Sequence, residues 1–321
     1  MASVVDFDHE ERFQVRVAWL YHVEGLTQGA IADHLQVTRL RVNRALRDAM
    51  HNGVVRVTIH SRYAPCMDLE AQVKNRFGLK DVALAPAPSD DANVQPLVGF
   101  ELGRYLSALL QDRSLRLFGI AWGNTLNFAT QAIAPFKRED LEIVSVMGGL
   151  PTGSDVNSFE ITTRLAELCA AKRTYLTAPL YASTEQSRDT IMVQEVFQDV
   201  LTKIRQADAI AMGAGDMSKR SLLVRDGLPK DVQVRDLVAA GAVGDMLGYF
   251  IDEAGSLIDH PINRRVIGID PFELRSMPNV ILAAGGQHKV KVIAAALKTG
   301  LVDVLVSDQR TAESVLAFVE D

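Results

Sequence analysis

Apolar residues along this 321-residue chain recur at helical spacing first and as short β-like runs later, and the change of pattern divides it. Phe13, Val17, Leu20 and Tyr21 predict a first helix ending near Gly25. Within Leu26–Gly53, Ile31, Ala32 and Leu35 predict a second helix behind an N-cap at Thr27. Val42, Leu46 and Met50 predict a third behind an N-cap at Thr38. Only Gln36 and Val37 separate these two, so they should cross steeply as a helix-turn-helix. The stretch VVRVTIH then alternates Val55, Val57 and Ile59 with Arg56, Thr58 and His60, predicting a half-buried, wing-like strand.

The stretch SRYAPCMD, with Pro65, reads as a hinge, giving expected domains at 1–62 and 63–321. Leu69, Val73 and Phe77 predict an amphipathic helix stopped by Gly78, and DVALAPAP offers a short strand. Buried-strand runs follow at Leu115–Ile120, Ile143–Met147, Thr174–Thr177, Ala209–Met212, Val266–Ile269, Val280–Ala284 and Val302–Val306. Helix-period segments intervene and long hairpins are absent, so the expected fold is α/β, a parallel sheet covered on both faces.

The net charge of −6 by itself argues against a nucleic-acid partner, but its distribution reverses that. Residues 1–62 hold eight arginines, no lysine and seven acids, for +1, and the rest carries −7. Between Thr38 and Arg62 stand six arginines and the single acid Asp48. A basic patch on an acidic chain fits double-stranded DNA, and guanidinium groups suit both phosphate and guanine. With Val42 and Leu46 inward, the third helix presents Arg39, Arg41, Asn43, Arg44 and Arg47, and Thr27, Gln28 and Thr38 lie at the two helix starts. Arg56 and Arg62 are backbone-contact candidates on the wing. Among the other classes, no apolar run reaches membrane-spanning length and the start MASVVDFDHEER lacks a signal-peptide pattern, so the expected compartment is the cytoplasm. Cys66 and Cys169 have no metal or disulfide spacing and are expected to be buried thiols; no metal or cofactor is expected.

Ligands of open α/β sheets bind beyond the carboxyl ends of the strands, where glycine turns let anions approach backbone N–H groups. The suitable turns are WGNTL (122–126), MGGL (147–150), MGAGD (212–216) and AGGQHK (284–289), with GAVGD (241–245) a fifth glycine-rich stretch. They nominate Gly123, Asn124, Thr125, Gly148, Gly149, Asp245, Gly285, Gly286, Gln287 and Lys289 as effector contacts. Lys289, expected in the first turn of a helix, clashes with the helix dipole unless an anion such as a phosphate lies beside it; Asn124 and Asp245 suit sugar hydroxyls. Asp208, Asp216, Asp245 and Asp252 could in principle supply an acid/base pair, but lone carboxylates near strand ends are common and no hydrolase, P-loop or metalloprotease motif accompanies them. Enzymatic activity is therefore not expected.

The stretches GLTQGAIADHLQVTRLRVNRAL, GVVRVTIHSR, GIAWGNTL, VSVMGGL, GAVGDMLGYFIDEAG and AAGGQHKVKVIAAALKTGLVDVLVSDQRTA occur in an order and spacing covering residues 10–319. In these the chain resembles the SorC family of bacterial sugar-responsive transcriptional regulators, near the branch of autoinducer-2 uptake and polyol regulators. The resemblance implies an N-terminal helix-turn-helix and an effector domain related in fold to ribose-5-phosphate isomerase and glucosamine-6-phosphate deaminase. It implies a phosphorylated sugar or polyol over the positions matching Gly123, Asn124, Thr125, Asp245 and Lys289, and dimers or tetramers formed through the effector domain. The expectation is a repressor of a carbohydrate or polyol operon. The alternative is a sugar-phosphate isomerase or deaminase with an appended DNA-binding domain. Gln36 departs from the glycine more usual in the turn, at a cost of order 1 kcal/mol if its φ is positive.

Overall fold

Helix α1 (Val4–His22) ends on Gly25, and α2 (Gln28–Leu35) and α3 (Arg39–His51) follow across short turns. The computed structural model describes residues 4–55, 61, 64–87, 90, 94–150 and 156–320. The chain divides into two units, Met1–Ser61 and Arg62–Asp321. In the first, Thr27 accepts a hydrogen bond from the Ala30 N–H and Thr38 one from the Arg41 N–H, so each threonine caps its helix. Gln36 closes α2 at φ 52°, the left-handed conformation that an L side chain resists. Val17, Leu20, Ile31, Ala32, Val42, Ala45 and Leu46 form a core separate from that of the second unit. Tyr21 and Met50, expected inside, are exposed, and Ala45 and Ala49 are buried instead. Successive four-residue steps drift about 40° around a helix, so the second step leaves the buried stripe. The wing residues 56–60 and Arg62 lie outside the described residues.

The second unit runs α4 (Ala64–Phe77), β1 (Asp81–Ala85), α5 (Val94–Leu109), β2 (Leu117–Ile120), α6 (Asn124–Ala132), β3 (Glu142–Ser145), α7 (Ser158–Cys169) and β4 (Lys172–Thr174). It continues α8 (Glu185–Met192), α9 (Glu195–Arg205), β5 (Ala209–Met212), β6 (Ala214–Asp216), α10 (Val234–Ala239), β7 (Gly244–Met246) and β8 (Tyr249–Ile251). β9 (Val280–Ala283), α11 (Val290–Lys298), β10 (Val304–Asp308) and α12 (Gln309–Glu320) complete it. Seven strands form one parallel sheet in the order β1-β10-β9-β5-β2-β3-β4. β5, β9 and β10 are buried along their whole length, as expected of strands covered on both faces.

Two departures matter. Val266–Ile269 is not a strand of the sheet; it is buried against it through isolated bridges, Val266 to Tyr181 and Gly268 to Met147. A second, antiparallel sheet, β6-β7-β8, was not foreseen, and it holds the GAVGD stretch. The order of the large sheet has a consequence for function. From β2 the chain builds outward to β3 and β4, whereas from β5 it builds the other way to β9 and β10. The adjacent carboxyl ends of β2 and β5 are thus a topological switch point, where a crevice opens.

Candidate functional site

A cleft occupies that crevice. Its empty volume is about 640 Å³, mouth included. β2 delivers Trp122, Gly123, Asn124 and Thr125 to one wall, and β5 delivers Gly213, Ala214 and Gly215 to the other. Asp245 and Lys289 line its floor.

The wall after β2 is a helix start. Gly123 adopts φ 129°, a conformation open to glycine and not to other residues, and it turns the chain into α6 without a side-chain cap. The first intrahelical bond is Asn127 N–H to Gly123 carbonyl, so the N–H groups of Asn124, Thr125 and Leu126 have no partner within the helix. These are donors at the positive end of the helix dipole. Trp122 is held beside them by donating its indole N–H to the Gly148 carbonyl at 2.9 Å.

The floor is a buried charge cluster. Asp245 on β7 stands opposite Gly215 on β6, and any Cβ at position 215 would sit 2.1 Å from Asp245 Oδ1 and 3.2 Å from Ser221 Oγ. Asp245 Oδ2 accepts the Gly248 N–H at 3.1 Å. That bond depends on a hairpin turn, Leu247–Gly248, with both residues at positive φ, 53° and 83°. For leucine this costs of order 1 kcal/mol, and the strained side chain lines the cleft. Asp216 Oδ2 accepts the Ser218 N–H at 2.8 Å, while buried Oδ1 has no hydrogen-bond partner among the described residues. Lys289 is 7% exposed, and its ammonium makes no hydrogen bond or ion pair within 4 Å among the described residues. Burial pushes the Asp245 carboxyl up to about 6, with Asp216 adding to the rise and the Gly248 N–H and Lys289 opposing it. Burial likewise pushes the Lys289 ammonium down, against the pull of Asp216 and Asp245.

This corrects the expectation for Lys289. It belongs to a 3₁₀ turn, Gln287–Lys289, and α11 starts only at Val290. As the N-cap of α11 it stands at the positive end of that helix, and its charge also answers Asp216 and Asp245 across the cleft floor. Gly123, Asn124, Thr125, Asp245 and Lys289 come together in the cleft. Gly148, Gly149, Gly285, Gly286 and Gln287 do not line it. The Gly148 and Gly149 N–H groups are spent on the Ile267 and Ala178 carbonyls, and a Cβ on Gly148 would strike the Pro179 carbonyl at 2.4 Å. Gly285 clears Asp308, the Gly286 N–H goes to Thr311, and Gln287 bonds Arg310 and Ser314 of α12. The four glycines serve close packing rather than the cleft, and exposed Gln287 serves the contact with α12. Gln95, Arg220, Ser221 and Leu247 line the cleft and were not nominated from sequence; Asp216, considered only as a lone acid, joins the floor. Asp208 instead accepts the Arg116 and Leu117 N–H groups, and Asp252 the Ala254 and Ser256 N–H groups.

On α3, Arg39, Asn43, Arg44 and Arg47 are exposed. Arg41 is drawn toward α1, 4.6 Å over the Phe13 ring and 3.8 Å from the Glu10 carboxylate. Leu40, unmarked by any motif, is 76% exposed one turn before Arg44. Thr27 and Thr38 are exposed caps and Gln28 is half-buried.

Residues 61–317 match the family model described as "Putative sugar-binding domain". The chain is 34% identical over 313 residues to the transcriptional regulator LsrR of Escherichia coli K12, covering 96% of this chain and 95% of that one. The LsrR of Enterobacter sp. strain 638 is 32% identical over 317 residues, covering 96% and 94%. The full-length sorbitol operon regulator SorC of Klebsiella pneumoniae superposes with a TM-score of 0.72 at 24% identity, over 96% of this chain and 99% of that one. That likeness is one of fold.

Proposed function

Since this chain belongs to the SorC family of sugar-responsive transcriptional regulators, we propose that its first unit binds an operator and its cleft binds a phosphorylated sugar or polyol that controls that binding. Membership makes it a regulator and not an enzyme. The observation that carries the ligand class is Lys289, a residue more than nine-tenths buried whose ammonium has no hydrogen-bond partner among the described residues, in the same cleft as the uncapped start of α6. An anion at the α6 start takes the N–H groups of Asn124, Thr125 and Leu126, with Arg220 at the rim. Hydroxyls of the same ligand reach Asp245 and Asn124, since carboxylates and amides accept from them.

In the first unit, α3 is the reading helix of a helix-turn-helix, with Arg44 and Arg47 on its outward face and Arg39 at its first turn; Asn43 flanks them. Repression is the favoured sense, and the oligomer formed through the effector unit supplies paired heads for two half-sites. Whatever the sense, the effector controls DNA binding only through unequal affinity for two arrangements of the protein.

The test is a thermal-shift titration of the full chain with sugar phosphates beside the corresponding free sugars and polyols. A phosphorylated ligand should raise the melting temperature with concentration, and Lys289→Met should abolish the rise. Stabilisation of that variant equal to wild type would sink the assignment of Lys289. Loss of operator binding in Arg44→Ala, with the ligand shift intact, tests the head separately.

A further inference from the structure

The MGGL turn and the run Val266–Ile269 stay out of the cleft, yet together they grip a buried strap, residues 178–182. On one edge Gly149 donates its N–H to the Ala178 carbonyl at 2.8 Å and accepts the Leu180 N–H at 2.7 Å. On the other edge the Leu180 carbonyl accepts the Ile267 N–H at 2.8 Å, and the Ala182 N–H reaches the Arg265 carbonyl at 2.9 Å. Leu180, Tyr181 and Ala182 are buried, so the strap is a fixed point of the unit. The same bonds reach the cleft wall. Trp122 donates its indole N–H to the Gly148 carbonyl, and the Gly148 N–H goes to the Ile267 carbonyl at 2.9 Å.

From the strap, two side chains reach the turn that carries Asp245. Tyr181 donates its hydroxyl to the Gly248 carbonyl at 2.5 Å, a buried bond. Leu180 packs so closely that a Cβ on Gly248 would lie 2.9 Å from its Cδ1. Gly248 therefore stands between the strap and Asp245, whose Oδ2 takes its N–H at 3.1 Å. Met246 and Tyr249 pair across the hairpin, which leaves Leu247 and Gly248 as a two-residue loop with both φ positive, the type I′ pattern. Asparagine is at home at the first of these positions and leucine is not, so this loop needs support from outside. The Tyr181 hydroxyl supplies it. Without that donor the buried Gly248 carbonyl is unsatisfied, and a turn that shifts to relieve it draws its N–H away from Asp245. Tyr181 itself does not line the cleft, whereas Asp245 and Leu247 do. We infer that Tyr181 is a positioning residue of the cleft: through Gly248 it holds the left-handed turn that aims Asp245 and Leu247 at a ligand. The inference rests on the reading of this cleft as the effector site, but the hold on Asp245 exists in the free protein and is measured there.

The experiment follows urea unfolding of the full chain against pH by Trp122 fluorescence in a Trp19→Phe background, with and without Asp245→Asn. The stability difference between that pair falls as pH rises and levels off above about 6, where folded Asp245 has lost its proton. Asp216 and Lys289 also face Asp245, and Tyr249 and Arg265 face Tyr181; all four are kept in every variant. Tyr181→Phe keeps the ring and removes one oxygen, so the fold survives. It should move the levelling point up by about one pH unit, because Asp245 loses the Gly248 N–H that favours its charge. A tyrosine that only packs would change stability equally at every pH and leave that point in place. Leu247→Asn gives the turn a residue that accepts positive φ, and in that background Tyr181→Phe should shift the point much less. An unmoved levelling point in Tyr181→Phe, or an equal shift in the Leu247→Asn background, would overturn the inference. Failure of sugar phosphates to stabilise the chain would count against the effector reading alone, since no ligand enters this measurement.

Discussion

Replacing Asp245 by asparagine tests the buried charge cluster most directly, because it keeps the shape and removes one ionisation. In the folded chain burial holds this carboxyl near 6, against an ordinary value of 3.8. Between those values the native state keeps a proton that the unfolded chain has lost, so stability falls as pH rises through that window. A shift of about two units corresponds to about 3 kcal/mol, of which about 2 kcal/mol falls between pH 4.5 and 7.5. The groups facing Asp245 are Asp216 from β6, the Gly248 N–H from its own hairpin, and Lys289 from the turn before α11. Asparagine also deprives Lys289 of one carboxylate, but that offset is constant wherever Lys289 keeps one protonation state. The diagnostic is therefore the change of the difference with pH. Relative to Asp245→Asn, the wild type should lose about 2 kcal/mol from pH 4.5 to 7.5, or about 4–8 °C in melting temperature for a unit of this size. A Trp19→Phe background leaves Trp122, at the cleft, as the fluorescent reporter. In the wild type, a ligand hydroxyl that donates to ionised Asp245 should bind up to tenfold more weakly per pH unit below about 6. A wild-type-to-variant difference that is the same at both pH values would refute the reasoning.

Three smaller perturbations probe other joints. Gln36→Gly relieves a left-handed residue at φ 52° and should stabilise the first unit by up to about 1 kcal/mol, read by hydrogen exchange of α2 and α3; no gain would mean that the glutamine is unstrained there. Gly215→Ala drives a methyl group to within 2.1 Å of Asp245 Oδ1. It should cost about 1–3 kcal/mol and remove the ligand-induced melting shift, and an unchanged shift would show that the cleft floor tolerates displacement. Leu40 offers an apolar contact to a thymine methyl, so uracil substituted for thymine in the operator should weaken wild-type binding in a gel shift and leave Leu40→Ala indifferent. Equal sensitivity of both proteins would remove Leu40 from the contact.

Much of the sheet was legible because a strand buried on both faces leaves a short unbroken apolar run, as VILA and AIAM do. Val266–Ile269 has the same composition, yet it is buried by lying against the sheet, and hydrophobicity alone records the burial without the pairing partner. β6, β7 and β8 are three residues each, too short for any period to show, and β6 and β7 are rich in glycine and aspartate. The same limit governs the cleft. Gly123 and Gly148 look alike in sequence, each after a strand and before a helix. One is required by a φ of 129° at an open helix start, the other by a carbonyl 2.4 Å from where its Cβ would be. Gln95 and Arg220 reach the cleft from segments with no motif at all, so only the tertiary fold brings them there.

The floor of the cleft is a costly thing to build unless something completes it. Two carboxylates and one ammonium are withdrawn from water; among the described residues one carboxylate oxygen has no donor and the ammonium no acceptor, and the turn that aims Asp245 holds a leucine at positive φ. A stability-driven core would replace such a set with apolar residues, since removing charges from water outweighs their attraction at imperfect geometry. Its retention makes sense if the missing partners arrive with a ligand, whose hydroxyl protons and anionic oxygens satisfy Asp216, Asp245 and Lys289 together. The gain on binding is then large only in the arrangement that aligns all three, and a ligand that favours one arrangement is what regulation requires. The first unit, with a core of its own, can be presented to DNA as a preformed body. The signal therefore need not reshape α3; on the proposal of paired heads, it has only to change how two of them are held relative to one another.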